Sequence, residues 1–147
     1  MQTNDTLPEG ASWVTPYLTV TDVAHSLKFY RQAFGFSPGR SVTGPGGTVI
    51  HAEMTYQGKT VLMFAPEEEE GTMRTQAHSG CEPPLTFYVY CANVDWLARR
   101  AREAGAIVLE SPRDAAWGDR IVRLQDPDGY RWTFATRLGE GTANVPA

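Results

Sequence analysis

An internal repeat constrains this chain more than any other feature of its sequence. Tyr17 and Tyr88 stand 71 positions apart (88 − 17). The same spacing relates Asp22 to Asn93, Val23 to Val94, Lys28 to Arg99, Arg31 to Arg102 and Ala33 to Ala104. Phe64 and Phe134 stand 70 apart (134 − 64). A long fixed period marks one supersecondary unit used twice.

Each copy reads as strand, helix and three further strands. Residues 13–21 (WVTPYLTVT) alternate as a strand, with Pro16, Leu18 and Val20 opposite Thr15, Tyr17 and Thr19. Asp22 reads as a helix N-cap, Val23, Leu27, Tyr30 and Phe34 follow at helical spacing, and Gly35 is the stop. A short strand near residues 37–42 and a hairpin turning at Gln57-Gly58 complete the first copy. The second copy has a strand at residues 85–91, an N-cap at Asn93 and apolar residues at Val94, Leu97, Ala101 and Ala104. Gly105 stops that helix, a strand covers residues 107–109 and residues 110–116 read as a loop. The organisation expected is a tail at 1–12, a module at 13–66, a linker at 67–84, a module at 85–137 and a tail at 138–147. The four glutamates 67–70 read as a solvated part of that linker.

The strongest turn signal is Asp126-Pro127-Asp128-Gly129, which predicts a type I turn closed by a glycine bulge. The hairpin register follows from it. Gln125 faces Arg131, Leu124 faces Trp132, Arg123 faces Thr133 and Val122 faces Phe134. One face, Val122, Leu124, Trp132 and Phe134, belongs to a core. The other, Ile121, Arg123, Arg131 and Thr133, is mixed and polar.

The chain has 147 residues, 41% hydrophobic and 11% aromatic, and a net charge of −4. It is long enough to bury a core without staples. The acidic balance opposes a nucleic-acid partner and suits a cationic or neutral small ligand. Cys81 and Cys91 fit neither a secreted scaffold nor a zinc motif. Cys91 alternates with Val89 and Phe87 as a buried thiol. No signal-peptide core and no membrane-length apolar run is present, so a cytoplasmic protein is expected, with no membrane partner.

The segments YLTVTDVAHSLKFYRQAFGF (17–36), VYCANVDWLARRAREAGA (89–106) and LQDPDGYRWTF (124–134) resemble the vicinal oxygen chelate superfamily. This is the glyoxalase, bleomycin-resistance and extradiol-dioxygenase group, and the resemblance covers residues 14–137. It implies an α+β fold of two βαβββ modules: a curved mixed sheet around a concave cleft, helices on the convex face. Metal-dependent members hold a divalent ion with four side chains. Carried onto this chain, those positions fall at Thr15, Met63, Thr86 and Thr133, none of which suits a divalent ion. No metal and no cofactor is therefore expected. The segment AWGDR (116–120) resembles the bleomycin-resistance branch, whose members sequester a drug in a groove with aromatic and acidic walls, usually between two subunits. A homodimer is expected on that ground.

Candidate site residues follow from strand faces. His51 and Glu53 share a face and read as a recognition pair, as a general base with its orienting partner, or as a satisfied polar pair near a rim. Ile50, Ala52 and Met54 should face the helix. Tyr17, Tyr88 and Tyr90 suit stacking on a planar ligand, or core and dimer contacts. Trp117 caps a ligand or packs at an interface. Arg123 and Arg131 bind an anion or balance Glu53, the latter slightly favoured. The ligand-binding set is thus Tyr17, His51, Glu53, Met63, Tyr88, Tyr90, Trp117 and Arg123. The leading reading is a metal-free binding protein for an antibiotic or metabolite. The rival is a lyase or isomerase with His51 or Glu53 as acid or base, with or without an atypical divalent metal site, and a plain interaction module is the third option.

Overall fold

The computed structural model describes residues 6–71 and 73–139. The remaining parts of the two tails and of the linker (1–5, 72 and 140–147) lie outside the described residues. The chain divides into two compact units, one ending at Ser79 and the other starting at Gly80.

The first unit holds β1 (Tyr17–Val20), α1 (Val23–Phe34), β2 (Ser37–Thr43), β3 (Val49–Tyr56), β4 (Lys59–Pro66) and a short α2 (Gln76–Ser79). Its sheet runs in the order β1-β4-β3-β2, with β1 parallel to β4 and the other pairs antiparallel. The second unit holds β5 (Thr86–Tyr90), α3 (Val94–Glu103), β6 (Ile107–Asp114), β7 (Asp119–Gln125) and β8 (Arg131–Arg137). Its order is β5-β8-β7-β6, with the same senses. Two mixed four-stranded sheets, each crossed by a capped helix, are the two βαβββ modules that the repeat predicts.

Both helices start and stop by the expected chemistry. Asp22 accepts from the His25 backbone N–H at 3.0 Å, and Asn93 accepts from that of Trp96 at 3.0 Å. These caps satisfy N–H groups that have no partner within the helix. Gly35 takes φ 74°, and its N–H and that of Phe36 close onto Arg31 and Tyr30 carbonyls, a left-handed stop that glycine favours. The α1 core face is Val23, Ser26, Phe29, Tyr30, Ala33 and Phe34. Leu27 is only half-buried, because the tightly packed ring cluster of Phe29, Tyr30, Phe34 and Phe36 sets the helix rotation. In the sheet beneath, Ala52, Met54, Leu62 and Phe64 are fully buried. Ile50 departs from the expected face and is 45% exposed. A register shift between Val42 and Thr43 interrupts its ladder, and its side chain lies against Gly44.

The β7–β8 register is the predicted one, with Val122 opposite Phe134, Arg123 opposite Thr133, Leu124 opposite Trp132 and Gln125 opposite Arg131. Asp126 holds the turn. Its side chain accepts from the backbone N–H groups of Asp128 and Tyr130 and from the Trp132 indole. The first unit turns at Gln57 and Gly58, both with positive φ, the two-residue hairpin geometry.

Three further expectations are corrected. The strand expected over residues 13–21 is confined to β1, and Trp13 and Val14 are exposed. Residues 110–116 are not all loop: β6 extends to Asp114, with register shifts on either side of Glu110 that let a polar, proline-bearing stretch stay paired. Glu67 is largely covered, its side chain 14% exposed. Its carboxylate accepts from the Thr75 backbone and hydroxyl and meets His78, and the Thr75 backbone N–H leads in holding its carboxyl below the usual range.

Candidate functional site

Each sheet buries one face under its helix and leaves the other to carry polar chemistry. On the first sheet, parallel pairing sets Tyr17 beside Met63, and antiparallel pairing sets Met63 beside Glu53. His51 lies two residues before Glu53, on the same face. The Tyr17 hydroxyl meets His51 Nδ1 at 2.8 Å, and His51 Nε2 meets the Glu53 carboxylate at 2.7 Å. An ionised carboxylate only accepts. In the neutral tautomer that donates from Nε2 to this carboxylate, Nδ1 is the acceptor for the Tyr17 hydroxyl.

On the second sheet the centre is Asp119, the first residue of β7, which is only 4% exposed. Its Oδ2 accepts from the Tyr88 hydroxyl at 2.5 Å and the Tyr90 hydroxyl at 2.9 Å. The Trp117 indole N–H donates to the Tyr88 oxygen at 3.0 Å. A tight turn places that indole: the Ala115 N–H bonds the Asp119 carbonyl, the Gly118 N–H bonds the Ala115 carbonyl, and Gly118 takes φ 93°. Ala115, Ile121 and Ala135 form a small core cluster in the same part of the sheet. Arg120, whose side chain leaves the opposite face, bonds Asp95 at the start of α3 and Asp114 at the end of β6 and so holds β7 in place.

The rings of Tyr88, Tyr90 and Trp117 remain 43%, 56% and 54% exposed. Tyr88 and Tyr90 meet edge to face with centroids 5.6 Å apart. Their hydroxyls are committed to the carboxylate, and about half of each residue's surface stays exposed. Loss of water around its hydroxyl, then the bond to Asp119, pushes the Tyr88 phenol up to about 12. The bond to Asp119 likewise raises the Tyr90 phenol. Both therefore stay protonated at neutral pH and act as donors and flat surfaces.

Of the residues predicted for the site, Tyr17, His51, Glu53 and Met63 share one face of the first sheet. Tyr88, Tyr90 and Trp117 gather on the second. Arg123 sits four residues along β7 from Asp119 and pairs with Glu110, while Arg131 pairs with Glu82. Their partners are carboxylates of their own module, where the sequence reading favoured Glu53. Asp119 is the member of this cluster that sequence reasoning misses. The available signal is alternation: Asp119, Ile121 and Arg123 lie on one face of β7, the face of Tyr88 and Tyr90.

The positions matching the metal site of the resembled family do not fit a divalent ion. Met63 offers a neutral thioether, and the Thr86 and Thr133 hydroxyls bond each other at 2.9 Å. Thr15 lies ahead of β1. Among the described residues no three His, Cys, Asp or Glu side chains gather as a metal-binding group. No helix among them is long and apolar enough to cross a membrane.

Two βαβββ modules, each with a sheet face that carries polar and aromatic side chains, define the fold class. Residues 11–134 match the Glyoxalase/Bleomycin resistance protein/Dioxygenase superfamily, and the chain belongs to it. It is 33% identical over 129 residues to the uncharacterized protein Mb0911c of Mycobacterium bovis, covering 86% of this chain and 84% of that one. The uncharacterized protein Rv0887c of Mycobacterium tuberculosis is equally similar, with 75% of its length covered. Among solved structures, TioX from Micromonospora sp. ML1 matches with TM-score 0.67 and 25% identity, over 86% of this chain and 99% of that one. A glyoxalase-related enzyme from Fulvimarina pelagi shares the fold with TM-score 0.65 and 18% identity, over 92% and 99% of the two chains.

Proposed function

We propose that this protein is a metal-free binding protein for a small planar, aromatic or cationic molecule, an antibiotic or a metabolite, acting as a homodimer in the cytoplasm. The observation that carries the reading is the buried Asp119 carboxylate surrounded by three half-exposed aromatic rings. Aromatic faces attract flat and cationic groups, and a carboxylate behind them adds negative potential. The two phenols are donors fixed in the protonated state, which suits recognition better than proton transfer at neutral pH. Two cysteines outside any disulfide accord with a reducing compartment.

Titration of Trp fluorescence with the permanent cation N-methylacridinium, beside neutral acridine, tests this. Saturable quenching is expected, stronger for the cation. Asp119→Asn and Tyr88→Phe should each weaken it roughly 10-fold, about 1.4 kcal/mol. Absence of saturable quenching by either dye, or affinity indifferent to both substitutions, sinks the reading. A native mass spectrum of twice the chain mass is the outcome expected for the dimer.

The hydrogen-bonded chain of Tyr17, His51 and Glu53 favours a second reading, an isomerase or lyase with His51 as the base and Glu53 orienting it. Under that reading His51→Gln abolishes turnover while binding persists. Under the first, loss of affinity is gradual and no turnover exists to lose.

A further inference from the structure

The second sheet changes character along its length. Four residues from Asp119, about 13 Å at about 3.3 Å per residue, the same face reaches Arg123. Beside it lies a cavity of about 470 Å³ lined by Arg123, Arg131, Glu110, Pro84, Leu85 and Leu109, among others. The size suits a small ligand. Leu85 and Leu109 are half-exposed and give this cavity apolar walls.

The charges there do not cancel. Glu110 meets both Arg113 and Arg123, and Glu82 bonds Arg131 at 2.8 Å. Of the residues that line the cavity, two are guanidinium cations, Arg123 and Arg131, and one is a carboxylate, Glu110, an excess of one positive charge (2 − 1). The Arg123 contact to Glu110 is long, 3.4 Å from its Nε. Arg131 reaches Glu82 through one terminal nitrogen. A guanidinium has five N–H donors in a planar fork, so each arginine keeps donors for an incoming anion. Arg123 and Arg131 flank Thr133, to which β7 pairs Arg123 and whose strand carries Arg131 two residues earlier. Both side chains therefore leave the same face.

We infer that this cavity is an anion subsite for an amphipathic monocarboxylate, its head held by Arg123 and Arg131 and its apolar body lying on Pro84, Leu85 and Leu109. The charge excess matches one carboxylate, and the apolar walls exclude a bare inorganic anion as the intended occupant. The proposal is independent of the aromatic face around Asp119: either end of the sheet can bind without the other.

Octanoate tests it on the full chain, by calorimetry and by the methyl shifts of Leu85 and Leu109. Octanoate should bind with one-to-one stoichiometry and move those methyls. Arg123→Gln and Arg131→Gln, both at exposed side chains that leave folding intact, should each weaken it about 10-fold. Glu82→Gln, which removes a competing carboxylate, should tighten it several-fold, an effect that no structural role of Glu82 produces. Asp119→Asn should leave it unchanged, which separates this site from the aromatic one. Octylamine should not bind there, and inorganic phosphate should bind at least 10-fold more weakly than octanoate. Octanoate affinity unaffected by both arginine substitutions overturns the inference. So does octylamine binding as well as octanoate, phosphate binding as tightly as octanoate, or no octanoate binding at all.

Discussion

The two modules put the same tyrosine to different uses. Ala52 and Val122 hold equivalent places, each opposite a buried phenylalanine, Phe64 or Phe134. That alignment, 70 residues apart (122 − 52), matches Val49 with Asp119, His51 with Ile121 and Glu53 with Arg123. Tyr17 and Tyr88 then face different partners. Tyr17 bonds a half-buried imidazole in mid-strand. Tyr88 bonds a buried carboxylate at the strand start, and shares it with Tyr90. The repeated scaffold fixes where a tyrosine stands, and single residues on the neighbouring strand decide what its hydroxyl does. The acidic end belongs to the second module because it has Asp119 where the first has Val49.

If the scaffold is common and only the faces differ, core truncation should not tell the modules apart. Phe64→Ala and Phe134→Ala, both at fully buried rings, should each cost about 3–5 kcal/mol in chemical denaturation. Losses differing by more than about 2 kcal/mol would break the equivalence. Face substitutions should tell them apart. Asp119→Ala leaves two phenols without their acceptor and should cost about 2–3 kcal/mol. His51→Ala, at a more exposed ring, should cost about 1 kcal/mol or less.

Alkaline titration sharpens the same contrast. The Tyr88 phenol titrates near 12 in the folded chain, against 10.0 ordinarily. The unfolded chain therefore releases that proton first. Stability present below about pH 10 falls as pH rises toward about 12. Ultraviolet difference titration should show at least one tyrosine ionising late, and Asp119→Asn should move it earlier without restoring the ordinary value, because burial remains. The smallest effect is expected from Tyr17→Phe. Loss of a single exposed hydrogen bond should cost under about 1 kcal/mol, and a larger cost would mean that the first face is as tightly coupled as the second.

Most of the fold is legible in the sequence because its signals are local. Asp22, Asn93 and Gly35 declare helix ends through their own side chains or lack of one. The residues 126–129 set a register that assigns every residue of β7 and β8 to a face. The site is legible only where alternation is clean, as at Tyr17, His51, Glu53 and Tyr88. Asp119 escapes because an acidic residue after Trp117-Gly118 looks like the end of a turn, and its burial depends on two tyrosines some 30 residues away. The far end of β6 escapes because Pro112 and its polar neighbours mimic a loop, and only the bulges around Glu110 reveal how the strand stays paired. Glu67 escapes because four consecutive glutamates look solvated, whereas its role is set by Thr75 and His78.

The parallel pairing of each module's first strand with its last has a consequence in time. Tyr17 must wait for Met63, 46 residues later (63 − 17), and Tyr88 for Thr133, 45 later (133 − 88). At about 5–20 residues per second, a ribosome needs roughly 2 to 9 s to supply that partner. The β3–β4 and β7–β8 hairpins, closed by short turns, have far less chain to wait for. In each module the tyrosine of the candidate site is made early and paired late, so these sheet faces are the youngest surfaces on the newly made protein.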